Sequence, residues 1–183
     1  MTNVLDKTVR DLNFISSLTK RAKEVGVRII IHGGYSVDGA LGKITKPHKD
    51  IDIQVYGNSD NAKEVLQNLL NTMQTDGFDY KGIKWRDKGR STFYHNFLAV
   101  KNDFCVDFYY LQVVGNPFDK YKTIIKSDGS KNETQEYRTH QVNLNGVSFE
   151  ATLPEDELND KKEKKHREDI DRDIENLEKF LHK

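Results

Sequence analysis

The sequence predicts an α/β protein in which helices flank a mixed sheet. Three observations carry this: two long stretches with amphipathic helical spacing, short β-branched runs between them, and a hairpin signature near the C-terminus. Residues 4–25 set Val4, Leu5, Val9, Leu12, Ile15 and Leu18 at helical spacing, with Gly26 as a stop. Residues 27–31 form a β-branched run, read as a buried strand ended by Gly33 and Gly34. A short helix over 36–41 follows, closed by Gly42. Lys46-Pro47 then breaks regular structure before a second strand over 50–55.

Residues 62–75 carry a second amphipathic helix through Val65, Leu66, Leu69, Leu70 and Met73. Strands are expected over 93–100 and 104–111, joined by Lys101-Asn102-Asp103. Asn145-Gly146 predicts a tight hairpin between 142–144 and 147–149. Pro154 opens one last helix running to about Leu181, its inner stripe being Leu158, Ile170, Ile174, Leu177 and Leu181. The charged middle of that helix, 160–173, reads as largely solvated or facing a polar cleft, and 127–135 as the most mobile loop. The expected organisation is a core over 1–125, with the hairpin and helix of 126–183 completing a cleft in one domain.

Composition narrows the function classes. Lys plus Arg and Asp plus Glu are both 29, so the 183-residue chain has no net charge. A protein that grips a long anionic polymer normally carries a basic surplus, so nucleic acid is disfavoured as the main partner. No apolar stretch reaches membrane-spanning length, and the first residues lack a secretion pattern. The lone Cys105 has no internal disulfide partner, which fits a reducing compartment. The chain is expected to be cytoplasmic.

Chemistry concentrates between residues 33 and 52. Asp50 and Asp52 are two apart on an expected strand, so both carboxylates point the same way while Ile51 and Ile53 point into the core. Two such charges repel, and a divalent cation removes the conflict; oxygen ligands are what magnesium selects. A solvated strand edge would show the same Asp-x-Asp. The glycine pair shifts the balance. Gly33 and Gly34 let the backbone approach a ligand, and the N–H groups of the following turn face anions. Ser36 adds a hydroxyl at the helix start. A third acid, Asp107, sits in the run Val106-Asp107-Phe108, where a charge must be paired, hydrogen-bonded or metal-bound. His48 either touches phosphate, orients Asp50 or caps the strand, and Lys43 and Lys46, between the glycines and the acids, either reach phosphates or are ordinary solvated lysines. Trp85, in a polar run, reads as exposed and able to stack on a sugar or base.

Gly33-Gly34-Tyr35-Ser36-Val37-Asp38-Gly39-Ala40-Leu41-Gly42 and His48-Lys49-Asp50-Ile51-Asp52-Ile53 together resemble the antibiotic nucleotidyltransferases. The nearest pattern is that of the lincosamide and aminoglycoside 2″-O-nucleotidyltransferases, within the polymerase-beta-like superfamily. The match covers residues 28–56 and extends to Asp107. The ending Arg167-Glu168-Asp169-Ile170-Asp171-Arg172-Asp173-Ile174 resembles the helix that closes many small members. Tyr35 departs from the usual tryptophan, which warns against assuming the same substrate.

The resemblance implies a nucleotidyltransferase fold and transfer of a nucleoside monophosphate, from ATP as the expected triphosphate, to a small-molecule hydroxyl with release of pyrophosphate. It implies that Gly33, Gly34 and Ser36 hold the triphosphate, with His48 and Lys43 beside it. Asp50 and Asp52 would ligate two magnesium ions, and Asp107 would be a third ligand or the base. A homodimer is compatible with this pattern. Two other readings stand beside it: a toxin-like enzyme that nucleotidylates a protein or transfer RNA, and a non-catalytic nucleotide-binding domain.

Overall fold

The computed structural model describes residues 4–78, 84–87, 95–101, 104–125, 129–131, 134–164 and 167–182. Asp103, residues 127, 128, 132 and 133 of the loop expected over 127–135, and the side chain of Trp85 fall outside that description.

Helices α1 (Val4–Ala22), α2 (Gly34–Leu41), α3 (Ala62–Thr72), α4 (Pro154–Glu163) and α5 (Glu168–Leu181) surround strands β1 (Arg28–His32), β2 (Ile51–Gly57), β3 (Lys84–Asp87), β4 (His95–Lys101), β5 (Phe104–Gln112), β8 (Thr139–Leu144) and β9 (Val147–Thr152). These strands form one sheet in the order β3-β4-β5-β2-β1-β9-β8. A separate two-stranded ribbon pairs β6 (Tyr121–Lys122) with β7 (Gln135–Glu136). The central trio is β5-β2-β1: β2 runs antiparallel to β1 and parallel to β5. The sheet is therefore mixed, as expected from sequence.

Alternation along β2 assigns its two faces. Ile51, Ile53 and Val55 are buried together with Phe14, Ile15 and Leu18 of α1 and with Leu66, Leu69 and Leu70 of α3. Asp52, Gln54 and Tyr56 point the other way. There Tyr56 joins a smaller cluster with Ile30, Leu111, Val113, Ile124 and Tyr137.

Three expectations change. Leu5 and Val9 do not belong to the inner stripe of α1; they are exposed, bordering a shallow groove with Phe78. The buried stripe starts at Leu12. The terminal helix is two helices, because Lys164 adopts an extended backbone (φ −81°, ψ 156°) after α4. Its charged middle faces a polar cleft in part, as expected: Lys161 and Asp173 are buried there, and Glu157 is buried just before it. Turning the chain there directs charge inward from both helices. The hairpin strands are longer than expected, and β9 pairs in parallel with β1, next to the glycine turn. Among the described residues no helix is long and apolar enough to cross a membrane.

Candidate active site

β1 ends at His32, and the backbone turns through Gly33 into α2. Gly33 has φ 70° and ψ −138°, a conformation that a side chain resists. A second constraint is steric: a Cβ on Gly33 would fall well inside 3.0 Å of the Asp52 carboxylate, and one on Gly34 would strike the His48 ring as closely. The glycine pair is thus required by the acid and the imidazole packed against it. Glu157 of α4, fully buried, holds this turn from behind. Its Oε1 accepts the Gly33 N–H at 2.8 Å and pairs with His32 Nδ1 at 2.6 Å.

The acids lie on the sheet face away from α1 and α3. Asp50 precedes β2 and Asp52 lies within it. In the parallel β2–β5 pair Asp52 is directly in register with Asp107, and in the antiparallel β1–β2 pair it opposes His32. Burial together with the charge of Asp50 pushes Asp52 up to about 6, against the pull of His32. Burial draws His32 down, but its bonds to Asp160 and Glu157 outweigh that and raise it to about 10. His32 is therefore a cation at neutral pH.

A cavity of about 480 Å³ opens over this turn. Gly33, Gly34, His48, Asp50 and Asp52 form one wall; Lys46, Lys161, Lys164, Arg167 and Arg172 bring cations to it, of which Lys164 is paired with Asp160, Arg167 with Asp169 and Arg172 with Glu168. Lys46 and Lys161 share Asp173, at 2.6 Å and 3.0 Å. One carboxylate between two ammonium groups leaves positive charge for a ligand anion. The arrangement offers anion-binding cations opposite paired carboxylates, the division of charge that a metal–triphosphate complex requires.

The expected residues are placed unequally. Gly33, Gly34, His48, Asp50 and Asp52 meet at the cavity. His48 is held rigidly: its Nε2 lies 2.6 Å from Asp38, and its ring lies 4.4 Å from that of Tyr35. Asp107 is buried on β5, the strand next to that of Asp52, and does not line the cavity. Ser36 is buried and donates its hydroxyl to the Thr152 carbonyl, 3.2 Å away, so β9 rather than the cavity takes it. Lys43 is exposed and outside the cavity; Lys46 lines it instead.

Sequence reasoning passed over Asp38, His32 and Glu157. Asp38 is fully buried and accepts Thr45 N–H (3.0 Å), Thr45 Oγ1 (2.6 Å) and His48. It thereby fixes the loop that delivers Lys46, His48 and Asp50. Its signal was a lone acid in an otherwise apolar short helix.

The donor set at Asp50, Asp52 and Asp107 is all oxygen, and Asp52 is held largely buried with two like-charged neighbours, Asp50 and Asp107. Both features fit a hard divalent cation. Among the described residues the group of three acids or histidines that gathers within 4.8 Å is a different one, His32, Glu157 and Asp160. That group is already neutralised internally by the protonated imidazole and by Lys164 against Asp160.

Sheet order, glycine turn and in-register acids define a nucleotidyltransferase fold. The chain belongs to the aminoglycoside-2″-adenylyltransferase family, whose model matches residues 14–172. A 2″-aminoglycoside nucleotidyltransferase of Klebsiella pneumoniae is 29% identical over 69 residues. That match spans 38% of this chain and 39% of the relative's length. In structure the chain is similar to the lincosamide antibiotic adenylyltransferase LnuA, solved with lincomycin, at a TM-score of 0.67 and 20% identity over 93% of this chain and 96% of that one. It is also similar to ANT(2″)-Ia in complex with adenylyl-2″-tobramycin, at a TM-score of 0.60 and 16% identity over 94% and 90%.

Proposed function

We propose that the protein transfers a nucleoside monophosphate from a nucleoside triphosphate, ATP in the first instance, to a hydroxyl of a small antibiotic-like molecule, releasing pyrophosphate. The observation that carries this is Asp50 and Asp52 on the wall of a cavity beside the glycine turn, with Lys46 and Lys161 among its other lining residues and Asp107 in register with Asp52 on the next strand. Family membership supports it, as do the relatives named for lincosamide and aminoglycoside substrates.

In this reading Gly33 and Gly34 admit the triphosphate close to the backbone, and the first N–H groups of α2 face its oxygens. Lys46 and Lys161, which share the single Asp173 carboxylate, neutralise the phosphate charge from the far wall. Asp50 and Asp52 would hold magnesium, with Asp107 as third ligand or as the base that takes the acceptor's hydroxyl proton. Two ions bound there would supply electrostatic stabilisation of both the attacking and the leaving oxygen. His48 is positioned by Asp38 to shape the wall beside Gly34. The segment 126–183 completes the cleft, because α4 and α5 contribute its cations. A cytoplasmic, dimeric protein accords with this activity.

The test is pyrophosphate release from ATP, GTP, CTP and UTP, each with Mg²⁺ and with lincomycin or tobramycin. Asp50→Asn and Asp52→Asn should each abolish it while the circular-dichroism spectrum is retained. Turnover surviving in either variant would sink the assignment.

A further inference from the structure

Tyr109 of β5 stands beside the acids without lining the cavity at the glycine turn. In the parallel β2–β5 pair it is in register with Gln54, as Asp107 is with Asp52. Same-face positions on a strand are two residues apart, so Tyr109 and Asp107 share the face of Asp52. The Tyr109 hydroxyl donates to Asp52 Oδ1 at 3.4 Å. That is long for an O–H···O bond, so the hydroxyl reaches the acid without being committed to it. Its tyrosine neighbours are fixed elsewhere. Tyr56 donates to Gln54 Oε1 at 2.8 Å and Tyr110 to the Ser59 carbonyl at 2.9 Å, and both are buried. Tyr109 is only partly buried, packed against the cluster that holds Tyr56 and Leu111.

Sheet order sets the direction of approach. Strands β5, β2 and β1 lie side by side, so the glycine turn that ends β1 is on one side of Asp52 and Tyr109 on the other. An in-line displacement needs the incoming and departing oxygens on opposite sides of the phosphorus. A triphosphate seated at the glycine turn brings its α-phosphorus to the acids, with pyrophosphate on the side of Lys46 and Lys161. The incoming oxygen then arrives from the β5 side. Tyr109 supplies a hydroxyl there, already within reach of Asp52.

We propose, on the nucleotidyltransferase reading above, that the protein also nucleotidylates itself on Tyr109 when no small-molecule acceptor is bound. Tyr109 Oη forms a bond to the α-phosphorus, the bond from that phosphorus to the oxygen bridging to the β-phosphate breaks, and pyrophosphate leaves. The phenolic proton passes along its hydrogen bond to Asp52 and on to water. The product is a phosphodiester between the tyrosine and the nucleotide's 5′ oxygen, and no further reactant is needed. The adduct stands on the side from which an acceptor must approach. A chain that meets triphosphate without an acceptor therefore silences itself.

The test incubates the full chain with Mg²⁺ and ATP, GTP, CTP or UTP, with no acceptor added, and reads intact mass. Wild type should gain the mass of one nucleoside monophosphate with at least one of these, and tandem mass spectrometry should place it on Tyr109. The rate per chain should not depend on protein concentration. Tyr109→Phe and Asp52→Asn, each checked for folding by circular dichroism, should gain nothing. An adduct confined to other residues, one that persists in either variant, or a rate that rises with protein concentration overturns the proposal. Site mapping in wild type decides the matter even if Tyr109→Phe misfolds. Thermal protection by Mg²⁺ with α,β-methylene analogues of the same nucleotides is read alongside. Protein that is protected yet never modified strikes self-modification alone. Protein neither protected nor modified strikes the nucleotidyltransferase reading with it.

Discussion

Gly33 packs directly on Asp52: a Cβ at that glycine would occupy the space of the carboxylate. The turn and the acid are thus one unit, although 19 positions separate them in the chain (52 minus 33). Gly33→Ala must both strain a positive φ and push Asp52 aside. It should cost about 2–4 kcal/mol of stability and remove nearly all pyrophosphate release. Denaturant titration and a turnover assay check both halves.

Asp52 is a charge the fold tolerates rather than uses for stability. Asp52→Asn relieves its repulsion with Asp50 and Asp107 and should stabilise metal-free protein by roughly 1 kcal/mol while abolishing turnover. Mg²⁺ should raise the melting temperature of wild type more than that of the variant. A variant less stable than metal-free wild type would contradict this account.

Glu157 bonds both Gly33 N–H and His32, so truncation to Ala leaves the buried Gly33 amide without its acceptor and the His32 imidazolium with Asp160 as its remaining carboxylate partner. The expected loss is about 3–5 kcal/mol. Glu157→Gln keeps an acceptor for Gly33 and should retain more activity than the Ala variant, measured as kcat/KM at a temperature where both are folded.

Lys46 donates to Asp173 and to the Asp169 carbonyl, both at 2.6 Å, and lines the phosphate side of the cavity. Lys46→Ala should raise KM for the triphosphate by about tenfold or more, with a smaller change in kcat. An unchanged KM would remove Lys46 from triphosphate binding.

Away from the site, Asp76 binds Arg21 and the Ser17 hydroxyl, and these bonds, that of Arg21 foremost, hold its carboxyl well below the ordinary 3.8. A depressed carboxylate stabilises the fold above its unfolded value and loses that contribution as pH falls further. Asp76→Asn should therefore melt earlier than wild type at pH 7. The gap should shrink as pH falls below about 4, followed by circular dichroism.

Much of this was legible in residue order. The period-two pattern around Ile51 and Ile53 placed Asp50 and Asp52 on one face, and the glycines marked the turn before α2. The Asn145-Gly146 hairpin was also legible, since a two-residue turn is a local property. The break at Lys164 was not, because helical periodicity continues across it and the inward pull comes from contacts formed elsewhere. Asp173 seemed one acid in a wet run until Lys46, 127 positions earlier, closed on it.

Sequence by itself determined the local facts: which residues are acids, where glycine frees the backbone, and which strand face each aspartate takes. Tertiary structure alone decided that Asp107 stands in register with Asp52, that Asp38 grips His48 and that Glu157 backs the turn. Strand pairing and burial are long-range choices, so no stretch of neighbouring residues encodes which charges end up compensated.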